Sequence, residues 1–244
     1  MALRLPVRAR ITAAALLACA CTSSSSDDGA ILGEAGPAPG ELSIPFASGR
    51  APVVDGVVGA DEWKGAATVA VDQGATVRIL HDGARVYLAV SGVPGSGFGC
   101  VMVGAAGGVR VLHASAKLGS AIYTPDKAGA FHPRSTTYTW KPADLLLREE
   151  GWMASTVKDG HQQEFALSFA LLGLPDRPAR IALGFWHQTG PDPARLAVAT
   201  PITWPAGLSD AVGNAQLLAG FNPPGLRFDM ASWLSPRPRP APPR

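Results

Sequence analysis

The sequence predicts an all-β protein, an antiparallel β-sandwich carrying one or two short helices. Three observations predict it. Gly and Pro number 28 and 22 of 244 residues, above average usage of about 7% and 5%, so turns are frequent. The apolar residues fall in short runs separated by Gly, Pro and Asp, and several runs alternate with the period of a strand. Helical periodicity is confined to a few turns, and no repeat of about 20–50 residues signals a propeller or solenoid. Apolar residues make up 47% of the chain, which excludes wholesale disorder.

Residues 1–18 read as a secretory signal. Arg4, Arg8 and Arg10 supply a positive start, and an apolar stretch from Ile11 to Ala18 follows. That stretch is shorter than the about 20 residues a membrane-spanning helix needs. It leads into Leu16-Leu17-Ala18-Cys19, which resembles the lipobox of bacterial lipoproteins. There cleavage precedes a Cys whose thiol is acylated, and a thiol is the most nucleophilic side chain for such an alkyl transfer. Cys19 is therefore the expected lipidation site. Acyl chains add about 0.8 kcal/mol per buried CH₂, enough for a stable membrane anchor. Ala20 follows in place of Asp, and by resemblance to Gram-negative lipoproteins this points to the outer membrane of the cell envelope.

Residues 19–50 read as a tether. Thr22-Ser-Ser-Ser-Ser-Asp-Asp-Gly29 and the Gly/Pro-rich stretch to Gly40 cannot bury enough apolar surface to offset ordering entropy. Residues 51–234 hold the expected sandwich. Thr76–His81 and Arg85–Val90 flank Asp82-Gly83, a strong hairpin signal. Further strands are expected at Phe98–Val103, Val109–Ala114, Ser135–Trp140, Trp152–Val157, Gln163–Phe169 and Arg180–His187. The strand at Gln163–Phe169 reads as half-buried, with Phe165, Leu167 and Phe169 on the core face. Ala143–Glu150 reads as a helix of two turns after Pro142, with single turns at Leu171–Leu174 and Asp210–Leu218. Residues 235–244, with Arg237, Arg239 and Arg244 among five prolines, read as an extended tail.

The formal charge is +2. Removing three arginines with residues 1–18 takes it to −1, and three more with the tail to −4. Nothing here suggests the clustered basic face of a nucleic-acid binder.

The domain opens Val53-Val54-Asp55-Gly56-Val57-Val58-Gly59-Ala60-Asp61-Glu62-Trp63. This resembles the opening of family 9 carbohydrate-binding modules and of the wider group of DOMON-like β-sandwiches. The hairpin at 77–90, Gly151-Trp152, the segment Gln163–Leu174 and Thr203-Trp204-Pro205 follow in the order of that group. The resemblance covers roughly Pro52 to Leu218. It implies a ligand-binding sandwich with sugars or haem as cargo. The chain reads as a non-catalytic binder of carbohydrate or a similar small ligand, with a haem module or a structural, pocketless interaction sandwich as the alternatives.

Sugar sites combine an aromatic face for pyranose C–H groups with polar side chains for the hydroxyls. Trp186 and Trp204 are the first candidates, with Trp140 and Tyr123 beside them. Glu149, Glu150, Gln188 and Asn214 are polar candidates. Trp63 and Trp152 read as core. The stretch Ala114-Ser-Ala reads either as a ligand floor or as tight packing between sheets. A DOMON-like haem site would draw on Met102, Met153, His81, His113, His132, His161 and His187. No Cys-x-x-Cys-His is present, which excludes covalent haem. Asp126, Asp144 and the acidic residues from Asp55 to Glu62 are the carboxylates for a calcium ion like those of the sugar-binding family; no EF-hand loop is present. The chain is expected to need no cofactor, calcium and haem being the two the resemblance leaves open. No His-Glu-x-x-His appears, and Ser115 does not sit in a Gly-x-Ser-x-Gly elbow, so enzymatic activity is not expected. Cys100 is expected as a buried free thiol.

Overall fold

The computed structural model describes residues 40–71, 74–92, 97–156, 162–187, 201–208 and 211–243, without the side chains of Phe98, Trp186 and His187. Cys19, Gln188, His161 and the signal and early tether expectations lie outside the described residues. No described helix is long and apolar enough to cross a membrane.

The strands are β1 Glu41–Ile44, β2 Ala67–Ala70, β3 Thr76–His81, β4 Arg85–Ser91, β5 Gly97–Ala105, β6 Gly108–Ala114, β7 Leu118–Pro125, β8 Phe131–Pro133 and β9 Thr139–Trp140. Helix α1 spans Ala143–Glu150. Then come β10 Trp152–Ala154, β11 Gln162–Ser168, β12 Arg180–His187, β13 Ile202–Trp204, helix α2 Ala215–Leu218 and β14 Ser235–Pro238. One sheet has the order β10-β11-β4-β3-β2, and the other β13-β12-β5-β6-β7-β8 with β9 also on β7. Neighbouring strands in both sheets are antiparallel. The expected all-β sandwich is thus observed, and α1 keeps the predicted bounds.

The hairpin at Asp82-Gly83 forms as its chemistry requires. Asp82 Oδ1 accepts from the amides of Ala84 at 2.8 Å and Arg85 at 2.7 Å, and Gly83 takes φ 92°, a conformation that suits a residue without Cβ. Tyr87 donates to Asp82 Oδ2 at 2.7 Å.

The main core lies between the sheets. Val77, Ile79, Leu88, Trp152, Phe165 and Leu167 from one sheet meet Val101, Val103, Leu112, Ile181, Leu183 and Phe185 from the other. Both outer faces are also covered. The C-terminal segment lays Leu217, Leu218, Leu226, Phe228 and Trp233 over Cys100, Met102, Val111 and Ala182. The segment before β2 lays Ala47 and Trp63 over Leu80, Tyr87, Ala89 and Ala166. This second coverage corrects the half-buried reading of Gln163–Phe169. β11 is buried on both faces at its centre, Glu164 and Ala166 included. Strands covered on both sides read as apolar runs more than as alternations.

The domain boundaries move outward. β1 falls within the stretch read as tether, and β14 within the stretch read as tail. They pair in parallel, from Glu41 opposite Ser235 to Ile44 opposite Pro238. Pro lacks an amide hydrogen but keeps its carbonyl, and edge strands tolerate it. The amides of Ser235 and Arg239 supply donors, to Gly40 O at 2.7 Å and Ile44 O at 2.8 Å. The strand read over Ser135–Trp140 shrinks to β9. β7 gives residues 123–125 to β8 and residues 119–120 to β9, which leaves Ser135, Thr136 and Thr137 exposed between them.

Candidate functional site

The Asp-Gly to Glu-Trp opening has a physical account in one buried carboxylate. Glu164 lies on β11 with no exposed surface. Its Oε2 accepts from the amides of Asp55 at 3.1 Å and Gly56 at 2.9 Å, and its Oε1 accepts from Trp63 Nε1 at 3.0 Å. Gln162 Oε1 accepts from the amide of Val58 at 2.7 Å. The loop is thereby stitched along β11, and Trp63 closes the outer face. Burial pushes the Glu164 carboxyl up, and the bonds from Gly56, Trp63 and Asp55 pull the other way. Trp63 and Trp152 are both buried, as expected.

That loop forms one wall of a cleft of about 610 Å³. Val54 and Asp55 come from the loop, and Met153 to Thr156 from the end of β10. Ala116, Lys117 and Leu118 come from the β6–β7 turn, and Trp140 to Ala143 from the approach to α1. The cleft sits beside the edge strand of the smaller sheet and the β7–β9 edge of the larger one. Within Ala114-Ser-Ala, Ala114 packs in the core, as the tight-packing reading expects, and Ala116 lines the cleft.

Of the aromatic candidates whose side chains are described, only Trp140 is exposed and lines the cleft. It is 43% exposed. It faces Gly119 in the register of β7 and β9, where an added Cβ would lie 2.6 Å from its ring. A residue with no side chain lets the indole lie flat there. Tyr138 and His113 pack against it with ring centroids 5.3 and 5.7 Å away. Trp204 is corrected to a core residue: it pairs with Leu183 from β13 and packs between the sheets, 5% exposed. Tyr123 is likewise core, fully buried on the outer face of the larger sheet and edge-on to Phe228 at 5.6 Å. Trp186 lies on β12, and its side chain is outside the described set. Sequence reading missed Phe221. It is 65% exposed and follows Gly220, whose Cβ position lies 3.5 Å from the Trp140 ring. A lone Phe between Gly and Asn carries no periodicity, so no pattern marked it.

The polar candidates separate. Lys141 Nζ donates to Glu149 at 3.0 Å and Glu150 at 2.9 Å, and these bonds raise its ammonium. Glu150 also accepts from the Ser120 hydroxyl at 2.5 Å and from Trp152 Nε1 at 3.3 Å. Burial works against its ionised form, but the Ser120, Lys141 and Trp152 bonds prevail and hold its carboxyl low. Asn214 caps α2, accepting from the amide of Leu217 at 3.0 Å.

Among the described residues no three His, Cys, Asp or Glu side chains converge on a metal position. Two of the acidic residues named for calcium, Asp126 and Asp55, accept from amides of their own turns. Asp126 Oδ1 accepts from Ala128 and Ala130, and Asp55 Oδ1 from Val57. Met102 is fully buried against the C-terminal segment, and Met153 lines the cleft. Cys100 is free and buried, with Sγ 3.3 Å from His113 Nδ1. Burial lowers His113 to about 4 and pushes the Cys100 thiol up. The contact therefore joins a neutral imidazole to a neutral thiol, which is not the thiolate a nucleophile needs.

No family model matches this chain, and no curated protein matches it. Among solved structures it is similar to a family 9 carbohydrate-binding module from Caldicellulosiruptor kristjanssonii in complex with cellotriose. The identity is 13%, over 82% of this chain and 95% of that one, with a TM-score of 0.38.

Proposed function

We propose that this sandwich binds carbohydrate without catalysing its turnover, in the cleft that Trp140 helps to line. The exposed indole is the observation that carries this reading. Its ring is fixed from behind by Gly119, Tyr138 and His113, so little conformational entropy remains to be lost on stacking. The cleft is mostly apolar with a few polar groups, which is the usual make-up of a small-ligand site. Asp55, Lys117 and Thr156 are the polar residues of its lining that could meet sugar hydroxyls. Titration calorimetry on hits from a glycan array tests it. Trp140→Ala should weaken binding at least about tenfold, or roughly 1.4 kcal/mol, without lowering Tm. Unchanged affinity would remove the cleft from the function.

In the same reading Cys19 carries the lipid, and the chain is an outer-membrane lipoprotein whose domain begins near β1. The run Leu16-Leu17-Ala18-Cys19 after an apolar stretch supports it. Mass spectrometry of the mature chain should find a diacylglyceryl group on Cys19; an unmodified N-terminus beyond Cys21 would refute the anchor.

A further inference from the structure

The Trp140 cleft does not end at Lys141. That residue also lines a second cleft of about 310 Å³, together with Ser120, Thr139, Glu150, Arg110 and Arg134. The two arginines also line a third, of about 290 Å³, which reaches Leu171. The floor of this run is the core-side face of the larger sheet, where the smaller sheet has ended at β10. Arg110 lies on the same face of β6 as Leu112 and Ala114, two and four residues on. It stands opposite Ile122 in the register of β6 and β7. Arg134 flanks Ile122 from the other side, its amide donating to the Ile122 carbonyl at 2.8 Å. The two guanidinium-bearing residues therefore bracket one position of β7, and neither forms an ion pair among the described residues.

The charges along the groove are uneven. Lys117, Lys141, Arg110 and Arg134 line it, against the carboxylates of Asp55 and Glu150. The Glu150 oxygens are engaged by Ser120, Lys141 and Trp152. The uncommitted charge at the Ile122 end is therefore positive. Guanidinium groups recognise carboxylates and sulfates through paired, planar hydrogen bonds. Leu118, which lines the first cleft, and Ser120 and Ile122, which line the second, share this face of β7, and from Leu118 to Ile122 is four residues, or about 13 Å. That is the length of a short saccharide segment.

We propose that the groove recognises an acidic glycan, with an anionic group of the sugar chain held between Arg110 and Arg134. The inference rests on the carbohydrate reading above and narrows it to a substrate class. The test compares tetragalacturonate with its methyl ester by calorimetry on the full chain at low ionic strength. The sugar backbone is the same, and each carboxylate charge is replaced by a neutral methyl ester. The acid should bind about tenfold tighter than the ester. The double variant R110Q/R134Q should bring the affinity for the acid down to that for the ester, and an unchanged Tm shows that the fold survives. Inorganic phosphate at equal concentration should not displace the acid.

Equal affinity for acid and ester, or a preference that survives the double substitution, would overturn the proposal. Displacement by phosphate would overturn it too, as it would mark a pocket for free anions. The two readings fail separately. Neutral glycans that bind through Trp140, with acid and ester alike, leave the carbohydrate reading standing and remove the acidic one. Silence of every sugar removes both.

Discussion

Glu164→Ala should destabilise the domain by about 3 kcal/mol, the combined effect of leaving three donors without their acceptor. The amides of Asp55 and Gly56 and the indole of Trp63 all end on this carboxylate. The two amides belong to half-buried or exposed residues, so water can replace part of what they lose. Trp63 is buried and cannot regain a partner without moving, and moving it opens the outer face over Leu80, Tyr87, Ala89 and Ala166. For a domain of this size, Tm should fall by roughly 6–12 °C. Glu164→Gln should fall between the wild type and the alanine variant. It keeps one oxygen acceptor but turns an amide NH₂ toward the remaining donors. Thermal unfolding followed by Trp fluorescence checks both. An alanine variant within 1 kcal/mol of wild type, on the order of a surface substitution, would mean the loop is held by Trp63 packing alone.

The same carboxylate shows what was legible in the sequence. The Asp55-Gly56 turn and the Trp63 plug follow from residue chemistry, and their joint partner does not. Glu164 lies over a hundred residues on, and its alternation with Phe165 and Leu167 is what a solvent-facing acid would show. The two-sided burial of β11 arises from chain segments that themselves have little periodicity. Local pattern gave β3, β4, β6, β12 and α1 because their signals are complete within a few residues. It gave Trp140 as one aromatic among four, since exposure depends on what lies behind the ring. Gly119 and Gly220 make room for that indole, and a glycine in a strand is silent about its purpose until the register is known. Trp204 misled for the converse reason. Its flanking Thr and Pro suggest a loop, yet Leu183 across the ladder draws the indole into the core.

Deleting residues 235–244 should cost about 4–6 kcal/mol, although composition marks them as a dispensable tail. The deletion removes β14 and with it the bonds from Ser235 to Gly40 and from Arg239 to Ile44. Each such bond contributes about 0.5–1.5 kcal/mol. Ile44, fully buried now, would lose the cover of its pairing strand, and exposing a side chain of that size costs about 1.5–3 kcal/mol. A further joint is lost at His81. The amide of Gly83 donates to Nδ1 at 3.1 Å, so the proton sits on Nε2, which donates to the Arg239 carbonyl at 2.9 Å. Burial keeps this imidazole neutral by lowering its pKa against the pull of that same carbonyl. Truncation would leave the Nε2 proton facing a vacated position beside Phe46 and Phe169. Two variants separate the contributions. Truncation after Pro238 keeps the β1–β14 register but removes the Arg239 contacts, and should recover more than half of the loss. His81→Phe in the full chain should remove the carbonyl bond while keeping the ring packing, at about 1 kcal/mol. Urea unfolding of the series measures this. A chain ending at Leu234 with wild-type stability would show that β1 and β14 are bystanders and that the sandwich closes without them.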